Sequence, residues 1–401
     1  MPDFTERYTK QEALAMLFEK WSFTPAVETV PVASAAGRVT AEDIFSLVNV
    51  PVVRSSAMDG VAINYSSIEN KTPDTAAWRM GREYVRADTG DDFDDAYDTV
   101  VRIEDVKLLP EGGLEFTAPE KIKRGQSIRP CGSSIALGEK LASAGTILGA
   151  LDMAAIASGG HDSVRVLARP RVGFIPTGSE LVPVGTPLER GQAYDANSIM
   201  VAQLVRDMGA EPVLHPIVRD DRAALSAAFD EMLPQCDILL VNAGTSKGGE
   251  DYGTLLLAEK GELLLHGVKA VPGRPMGIAI ADGKPVINLS GPTAAAFYGI
   301  DWALRPMVCR ALGIAVPARR TVQATLTAPL NCPPKFSMMS RLELTKQPDG
   351  TLTATPLAHH GPNAAGSARV LTAPGIYIST PGEQPKAAGE QITVELVRDI
   401  D

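Results

Sequence analysis

Residues 237–253, DILLVNAGTSKGGEDYG, contain the pattern that decides the fold of this chain. A continuous apolar run ends here in a glycine-rich loop that holds Lys247, two hydroxyl side chains and two adjacent acids. Such a run, bounded by turn residues, predicts a strand buried on both faces, as in a parallel sheet covered by helices. The loop offers backbone N–H groups and a lysine to an anion. Its acids would repel a phosphate unless a divalent cation lay between them, so the stretch predicts a site for both phosphate and metal.

The same alternation of strand and helix continues on both sides, from residue 169 to residue 316. Asn197 is expected to cap the first helix, which ends at Gly209, and Asp220 precedes the second helix. This alternation predicts a parallel sheet with helices on both faces, a doubly wound α/β domain. The segments that carry the pattern are RVGFIPTG (171–178), SIMVAQLVRDMG (198–209), PVLHPIV (212–218), RAALSAAFDEML (222–233), DYGTLLLAEKG (251–261), LLLHGVKAV (263–271), GIAIA (277–281), PVINLSG (285–291) and TAAAFYGIDWALRPMVCRALG (293–313).

Further regions flank this domain. The residues TKQE (9–12) form a capping box that opens an N-terminal helix. Short strands broken by turns in residues 50–127 predict a small β domain, inserted into an N-terminal domain made of residues 1–49 and 128–168. From residue 317 to 401, prolines and a PDG turn separate short strands, which predicts an all-β domain. The fold class expected is therefore multidomain α/β plus β.

Composition narrows the classes of function. The net charge of −10 provides no positive surface of the kind that binds a nucleic-acid backbone, so no nucleic-acid partner is expected. The N-terminal stretch lacks the apolar core of a signal peptide, and the most apolar long stretch (144–160) carries Asp152 and is too short to span a bilayer. The four cysteines lie far apart without a CxxC pair, which favours reduced, structural thiols. A cytoplasmic protein without a membrane segment is expected.

Three strand-end loops of the α/β domain each contain an acid. Glu180 follows RVGFI, Asp220 follows PVLHPI and Asp251 follows DILLV. In an open parallel sheet, ligands bind beyond the carboxyl ends of the strands, so the three acids predict a shared metal–phosphate site. The alternative is that Asp220 and Asp251 only cap helices and the glycines only form turns. The signatures GxGxxG and GxxxxGK[ST] are absent, which argues against a standard nucleotide-binding domain.

Two clusters in the inserted domain have simpler explanations when each is taken alone. PVVRSSAMDGVAI (51–63) places two serines, an acid and a glycine between apolar segments, as a hairpin turn would. ADTGDDFDDAYDTVVRIED (87–105) holds six aspartates before Val100, as a solvated acidic loop would.

Taken together, these stretches resemble the molybdopterin molybdenumtransferase family, the MoeA and gephyrin E-domain proteins. SSAMDGVAI (55–63) is similar to that family's NSAMDGYA, and residues 87–105 are similar to its TGAPxPxGADAVVxxED. IRPCGSSIALGEKLASAGTIL (128–148) resembles its IRxxGEDIxxGExLLxxGxxL. PTGSELVPVGTPLERGQAYDANSIMVAQLVRDMGAEP (176–212) resembles its STGDELVxPGxPLxxGQIxDSNxxMLxALLxExGxE. The matches follow the family's order and spacing nearly from end to end.

The resemblance implies an architecture, an assembly and a reaction. The architecture is an elongated N-terminal domain, an inserted β domain, a molybdopterin-binding-type α/β domain and a C-terminal β barrel. The assembly is a homodimer whose active sites lie between the pterin-binding domain of one subunit and the β domain of the other. The reaction inserts molybdate (or tungstate) into adenylylated molybdopterin, with Mg²⁺, and releases AMP. The implied partners are molybdopterin adenylyltransferase and molybdoenzyme recipients or their chaperones.

Carried over by position, the resemblance also assigns roles to residues. The expected catalytic residues are Asp59, Thr89, Glu180, Asp220 and Asp251. Glu180 and Asp251 are also expected to hold Mg²⁺ or a water that it orients, because hard cations choose oxygen ligands. The expected substrate-binding residues are Ser56, Gly244, Thr245, Ser246, Lys247, Gly248, Tyr252, Arg274, Ser290 and Arg341. Arg341 falls where the family has an oxyanion-binding arginine.

Four stretches depart from the family pattern, mainly on the molybdate side. In NAGTSKGGED, Lys247 replaces a small or apolar residue of SGGVSxGDxD, and Val271 and Arg274 replace the lysines of KPGKP. The other replacements are Ser290 and Thr293 for two prolines of LPGNPVSA, and Ser133 and Ser134 for two acids of GEDI.

Two hypotheses about function follow from these matches and departures. One is an enzyme that inserts the metal, which the retained carboxylates favour. The other is a non-catalytic paralogue that binds molybdopterin or finished cofactor for storage or delivery.

Overall fold

The computed structural model describes residues 7–242, 252–357 and 367–400, without the side chains of Tyr252 and Ser367. The chain forms two compact units. The smaller unit is Val27–Leu167, and the larger unit combines Met1–Ala26 with Ala168–Asp401. The finer boundaries expected for four domains stay a prediction.

The predicted capping box opens the first helix, α1 (Lys10–Lys20), which belongs to the larger unit. The Thr9 hydroxyl accepts a hydrogen bond from the Glu12 N–H at 3.3 Å, and the Glu12 carboxylate accepts one from the Thr9 N–H at 2.7 Å. These bonds satisfy two backbone donors that the helix itself leaves without partners.

The smaller unit consists of short strands and one helix. Its elements are β1 (Val27–Pro31), β2 (Ile44–Phe45), β3 (Ser55–Ser56), β4 (Gly60–Ile63), β5 (Tyr84–Ala87), β6 (Thr99–Arg102), β7 (Val106–Leu108), β8 (Leu114–Phe116), β9 (Ile128–Arg129), β10 (Lys140–Ala142), α2 (Ala150–Ser158) and β11 (Ser163–Leu167). All the pairings among these strands are antiparallel, and β4 is the central strand between β5 and β6. The short strands predicted in residues 50–127 are present, and a 3₁₀ turn at Ile103–Asp105 separates β6 from β7.

The larger unit contains an α/β sheet followed by a barrel. Its remaining elements are β12 (Arg171–Pro176), β13 (Leu181–Val182), β14 (Ala193–Tyr194), α3 (Asn197–Asp207), β15 (Glu211–Leu214), α4 (Arg222–Met232), β16 (Ile238–Asn242), α5 (Tyr252–Lys260), β17 (Glu262–His266), β18 (Ala270–Val271), β19 (Gly277–Ala281), β20 (Lys284–Asn288), α6 (Thr293–Gly299), α7 (Arg305–Ala311), β21 (Thr321–Leu326), β22 (Ser337–Lys346), β23 (Leu352–Pro356), α8 (Ser367–Thr372), β24 (Gly375–Ile378) and β25 (Gln391–Leu396).

The α/β sheet has the strand order β15-β12-β16-β20-β19-β17. β15, β12, β16 and β20 are parallel, but β19 is antiparallel to both of its neighbours, so the prediction of a wholly parallel sheet is wrong at this strand. The reason is a two-residue turn, Asp282-Gly283, at which both residues have positive φ (48° and 73°). Such turns join antiparallel strands directly, whereas parallel strands need a long crossover.

The predicted helix cap at Asn197 is also wrong, and the alternative role of Asp220 as a helix cap is excluded. α3 begins at Asn197, but the carboxylate of Asp195 accepts the N–H of Ser198 at 3.0 Å, which leaves the Asn197 side chain to point into the protein. α4 is capped by Asp221, whose carboxylate accepts the N–H of Ala224 at 2.8 Å. The explanation of Asp220 as a helix cap is therefore excluded.

The predicted C-terminal barrel is confirmed. β22, β23, β21, β25 and β24 pair in that order, and β24 pairs again with β22, which closes the barrel. β18 joins the outside of this sheet by pairing in parallel with β22, so the predicted segment LLLHGVKAV is divided between two sheets.

The long helix predicted at residues 293–313 is interrupted by a π-helical segment, Ile300–Leu304, before α7. Pro306 lies at the start of α7, where its missing N–H removes one helical hydrogen bond.

Within the described ranges, no helix is long and apolar enough to cross a membrane. The four cysteines are all free, as predicted. Three of them are buried, but Cys131 is exposed and is therefore not a core thiol.

Candidate functional site

The carboxyl ends of β15, β12 and β16 lie side by side because these strands are parallel neighbours. Pro176 of β12 is opposite Asn242 of β16, so the loops that follow the two strands leave the sheet at the same level. We call this side of the sheet the carboxyl edge. The loops carrying Glu180 and Asp220 both start there, as predicted. Asp251 lies outside the described residues, as do Gly244, Thr245, Ser246, Lys247 and Gly248.

Asp220 is tied to the neighbouring loop by two hydrogen bonds. Its carboxylate accepts the N–H of Ser179 at 3.0 Å, and its own N–H donates to the Ser179 hydroxyl at 3.0 Å. Ser179 occupies the place of an aspartate in the family's STGDEL, so a neutral side chain holds Asp220 here. This role of Ser179 was not predicted from the sequence.

Glu180 extends from the same loop into solvent. Its side-chain oxygens have no hydrogen-bond or ion-pair partner among the described residues. The carboxylate lies close to Gly178, where an added Cβ would be 2.9 and 3.0 Å from its two oxygens. A side chain at position 178 would therefore displace the Glu180 carboxylate from this place.

Asn242, the last residue of β16, connects three elements at the carboxyl edge. Its backbone carbonyl accepts the Thr177 hydroxyl at 3.0 Å, and its side-chain oxygen accepts Nδ2 of Asn197 at 2.7 Å. Its amide donates to the carbonyl of Ser290 at 2.9 Å, and Asn197 Nδ2 also donates to the carbonyl of Gly291 at 2.7 Å. The sequence did not predict this pair of asparagines, although an asparagine at the end of a buried apolar run is the signal that could have identified it.

Two buried polar atoms at this edge have no partner among the described residues. They are Oδ1 of Asn197 and the hydroxyl of Ser290. Buried polar groups are nearly always paired, so atoms left over next to a strand-end loop mark a place for a ligand or ordered water. Ser290 was predicted to bind substrate, and its burial at the carboxyl edge is compatible with that role.

The two predicted substrate-binding arginines differ in environment. Arg274 is exposed, and its guanidinium stacks over Phe336 at 5.1 Å from the ring centre. Arg341 is buried in the barrel wall, and burial, together with the positive charges of Arg319 and Arg398, lowers its pKa to about 10. Its Nε donates to the carbonyl of Val370 at 2.9 Å. Tyr252 begins α5, and its side chain lies outside the described residues.

The remaining predicted site residues form a second cluster, in the smaller unit. The Asp59 carboxylate accepts both the N–H of Thr89 at 2.7 Å and its hydroxyl at 2.8 Å. These two bonds hold the pKa of Asp59 below its usual value. Ser56 is buried in β3, its hydroxyl donates to the Met58 carbonyl, and its own carbonyl accepts the N–H of Gly90 at 2.9 Å. The hairpin and the acidic loop are thus joined.

The carboxyl edge thus carries an exposed acid, an acid fixed by hydrogen bonds, and buried polar atoms that lack partners among the described residues. These features are typical of a ligand-binding α/β protein of the doubly wound class. Comparison with known proteins supports a narrower assignment. Residues 8–160 match the family model of the MoeA N-terminal region (domain I and II), and residues 173–310 match that of a probable molybdopterin binding domain.

The chain is 30% identical to molybdopterin molybdenumtransferase 2 of Mycobacterium tuberculosis (strain ATCC 25618 / H37Rv) over 354 residues, which cover 83% of this chain and 87% of the relative. It is 28% identical to molybdopterin molybdenumtransferase of Haemophilus influenzae over 316 residues, covering 76% and 78%. The chain therefore belongs to the molybdopterin molybdenumtransferase family. Two structures of a MoeA protein from Pyrococcus horikoshii share its fold, with TM-scores of 0.80 and 0.74, 24% identity, and coverage of 98% of this chain and 100% of theirs.

Proposed function

We propose that this protein inserts molybdate into adenylylated molybdopterin and releases AMP. The observation that carries the proposal is the family relationship across 87% of a relative named for this activity. The named relatives favour this enzyme over a non-catalytic paralogue. At the carboxyl edge, Glu180 is exposed and Asp220 is fixed, so two carboxylates are present for the reaction. Tungstate has the same oxyanion chemistry and is tested beside molybdate.

The donor set at this edge fits Mg²⁺. Among the residues described, no group of three or more His, Cys, Asp or Glu side chains forms a complete metal cage. Mg²⁺ is usually held by one or two carboxylates together with substrate phosphates. Glu180 is proposed as one of these carboxylates, and Asp251, which lies outside the described residues, is proposed as the other. Bound there, Mg²⁺ would offset the negative charge of the pyrophosphate.

Three side chains of the described residues are proposed to contact the anionic parts of the substrates. Ser290 and Arg274 are proposed to contact the pterin phosphate or the oxyanion, since a buried hydroxyl and an exposed guanidinium both donate hydrogen bonds to such groups. The two N–H groups on Nη1 of Arg341 have no acceptor among the described residues, so they remain for an oxyanion.

We further propose that the protein acts as a homodimer in the cytoplasm. The smaller unit carries Asp59, Thr89 and Ser56, and the larger unit carries Glu180 and Asp220. The family resemblance implies that the two sets come from different subunits. A molybdopterin adenylyltransferase would supply the substrate, and molybdoenzymes or their chaperones would receive the product.

The decisive experiment measures AMP release from adenylylated molybdopterin by the purified chain, with molybdate or tungstate and with Mg²⁺ or EDTA. We expect AMP release that requires Mg²⁺ and the oxyanion. Tight binding of adenylylated molybdopterin without AMP release would refute catalysis and establish the binding paralogue.

A further inference from the structure

Arg54 makes three contacts with the acidic loop of the smaller unit, which we define as residues 88–95. Its Nε donates to the Asp95 carboxylate at 2.8 Å, and its Nη2 donates to the Asp94 carbonyl at 2.9 Å. Its guanidinium also stacks over the ring of Phe93, 4.8 Å from the ring centre. The Arg54 side chain is 23% exposed although that of Asp95 is 96% exposed, so the arginine lies against the protein and holds the second half of the loop to it.

The first half of the acidic loop carries the contact between two predicted catalytic residues. Thr89 donates both its N–H and its hydroxyl to the Asp59 carboxylate. The next residue, Gly90, donates its N–H to the Ser56 carbonyl at 2.9 Å. Ser56 ends β3 and Arg54 immediately precedes this strand, so one short segment of the chain holds both halves of the loop.

The sequence of the acidic loop opposes this ordered conformation. Five of its eight residues are aspartates, and like charges so close together repel each other. The family motif TGAPxPxGADAVVxxED has prolines at the positions of Asp92 and Asp94. A proline restricts the backbone and lowers the entropy lost when a loop is ordered, whereas an aspartate does not. Arg54 supplies a positive charge and a planar set of donors that can offset both effects.

We propose that Arg54 is a positioning residue, which holds the acidic loop so that Thr89 stays bonded to Asp59. In this role Arg54 replaces the conformational restriction that prolines give to the family motif. It acts through Thr89 and touches no reacting group. The importance of this contact for catalysis rests on the proposed function, but the contact itself is measured without it.

Amide hydrogen exchange of the full chain tests the proposal at the Thr89 N–H, which donates to Asp59. Arg54→Met removes the charge and both hydrogen bonds, and should speed exchange at this amide by about tenfold or more. Arg54→Lys keeps the charge without the planar donors and should give an intermediate rate. The pKa of Asp59 should rise in Arg54→Met, because the bonds from Thr89 are the main cause of its lowering. The positive charge that lowers this pKa is that of Arg86, so the rise would report lost hydrogen bonds.

Arg124→Met is the matched control in the same unit. Arg124 also stacks over an aromatic ring, that of Tyr65 at 5.3 Å, and pairs with a carboxylate, that of Glu69 at 2.9 Å. Its partners lie outside the acidic loop, so this variant should leave both the exchange rate and the pKa unchanged. Equal changes in the two variants would show that Arg54 is only a general structural contact, and would overturn the proposal.

A double variant tests the replacement of the prolines. Asp92 has no hydrogen-bond or ion-pair partner in the described part of the chain, so Asp92→Pro removes no bond. Added to Arg54→Met, it should restore much of the slow exchange at Thr89. Unchanged exchange in Arg54→Met, or no recovery in the double variant, would contradict the proposal.

The AMP-release assay provides a separate readout. Arg54→Met should lower kcat by about tenfold with a smaller change in KM, because it displaces a catalytic group rather than a substrate contact. An unchanged kcat would contradict the positioning role. Absence of AMP release by the unmodified chain would instead refute the proposed function, while the exchange rates would still decide the role of Arg54.

Discussion

At the scale of single residues, the polar side chains of the carboxyl edge fall into two groups. Asn242 and Asp220 use their hydrogen-bonding capacity to join neighbouring elements. Glu180 makes no such bond within the described ranges and is exposed. Changing Asn242 should therefore lower stability, changing Asp220 should affect both stability and function, and changing Glu180 should affect function alone.

Asn242→Ala should destabilise the protein by about 2–4 kcal/mol, because it leaves buried polar groups on Asn197 and Ser290 without partners. Urea unfolding measures the loss. Asn64→Ala is the control: Asn64 accepts the N–H of Ser66 on the surface and should cost about 0.5–1 kcal/mol. A loss below about 1 kcal/mol for Asn242→Ala would show that the pair is not a structural connection.

Glu180→Gln should reduce AMP release by about 100-fold, since it removes a charge aimed at the substrate rather than a packing contact. The free energy of unfolding should change by less than about 0.5 kcal/mol, as for other exposed positions. Glu189→Gln, a neighbouring exposed acid, should retain full activity. Near-normal AMP release by Glu180→Gln would remove Glu180 from the proposed machinery.

Thr89→Val should raise the pKa of Asp59, because it removes the hydroxyl donor and keeps the N–H donor. A depressed folded-state pKa contributes stability above the unfolded-state pKa, and this stability is lost as pH falls through the folded-state pKa. In the variant that loss should therefore be smaller and should be complete at a higher pH. Carboxyl-carbon NMR titration measures the shift, with Thr117→Val as an exposed control that leaves Asp59 unchanged.

At the scale of secondary-structure elements, one tight turn sets the direction of β19. Because Asp282 and Gly283 both adopt positive φ, the chain reverses within two residues and β19 must run against β20. The apolar runs GIAIA and PVINLSG correctly predict two strands, and the DG pair between them is the local signal for a hairpin. The direction of β19 follows from that local chemistry.

Gly283→Ala should destabilise the chain by about 1 kcal/mol. An added Cβ at this position meets no atom within 4 Å, so the cost comes only from holding a non-glycine residue at φ 73°. Thermal unfolding measures it. Asp282→Asn should be neutral, because asparagine tolerates positive φ. An unchanged midpoint for Gly283→Ala would mean that the turn carries no conformational preference.

At the scale of the whole molecule, the predicted site residues are divided between the two units. If the working site combines Asp59 from one subunit with Glu180 from the other, two inactive variants can complement each other. Mixing Asp59→Asn with Glu180→Gln should then restore up to about one quarter of normal AMP release, because half of the random dimers contain one intact site of two. Each variant alone is the control, and light scattering should show a dimer. A monomer, or no restoration after subunit exchange, would contradict the shared site.

The sequence by itself determined the strand–helix alternation and the placement of Glu180 and Asp220. Burial periodicity is local, and parallel strands joined by helices put their carboxyl ends on one edge. The tertiary structure decided which polar groups remain free. Asn242 bonds to side chains and carbonyls more than 40 positions away, and Arg341 is occupied on one side by carbonyls of α8 and open to a cavity on the other. These pairings depend on how elements distant in the chain pack together, and such packing leaves no periodic signal in the residues themselves.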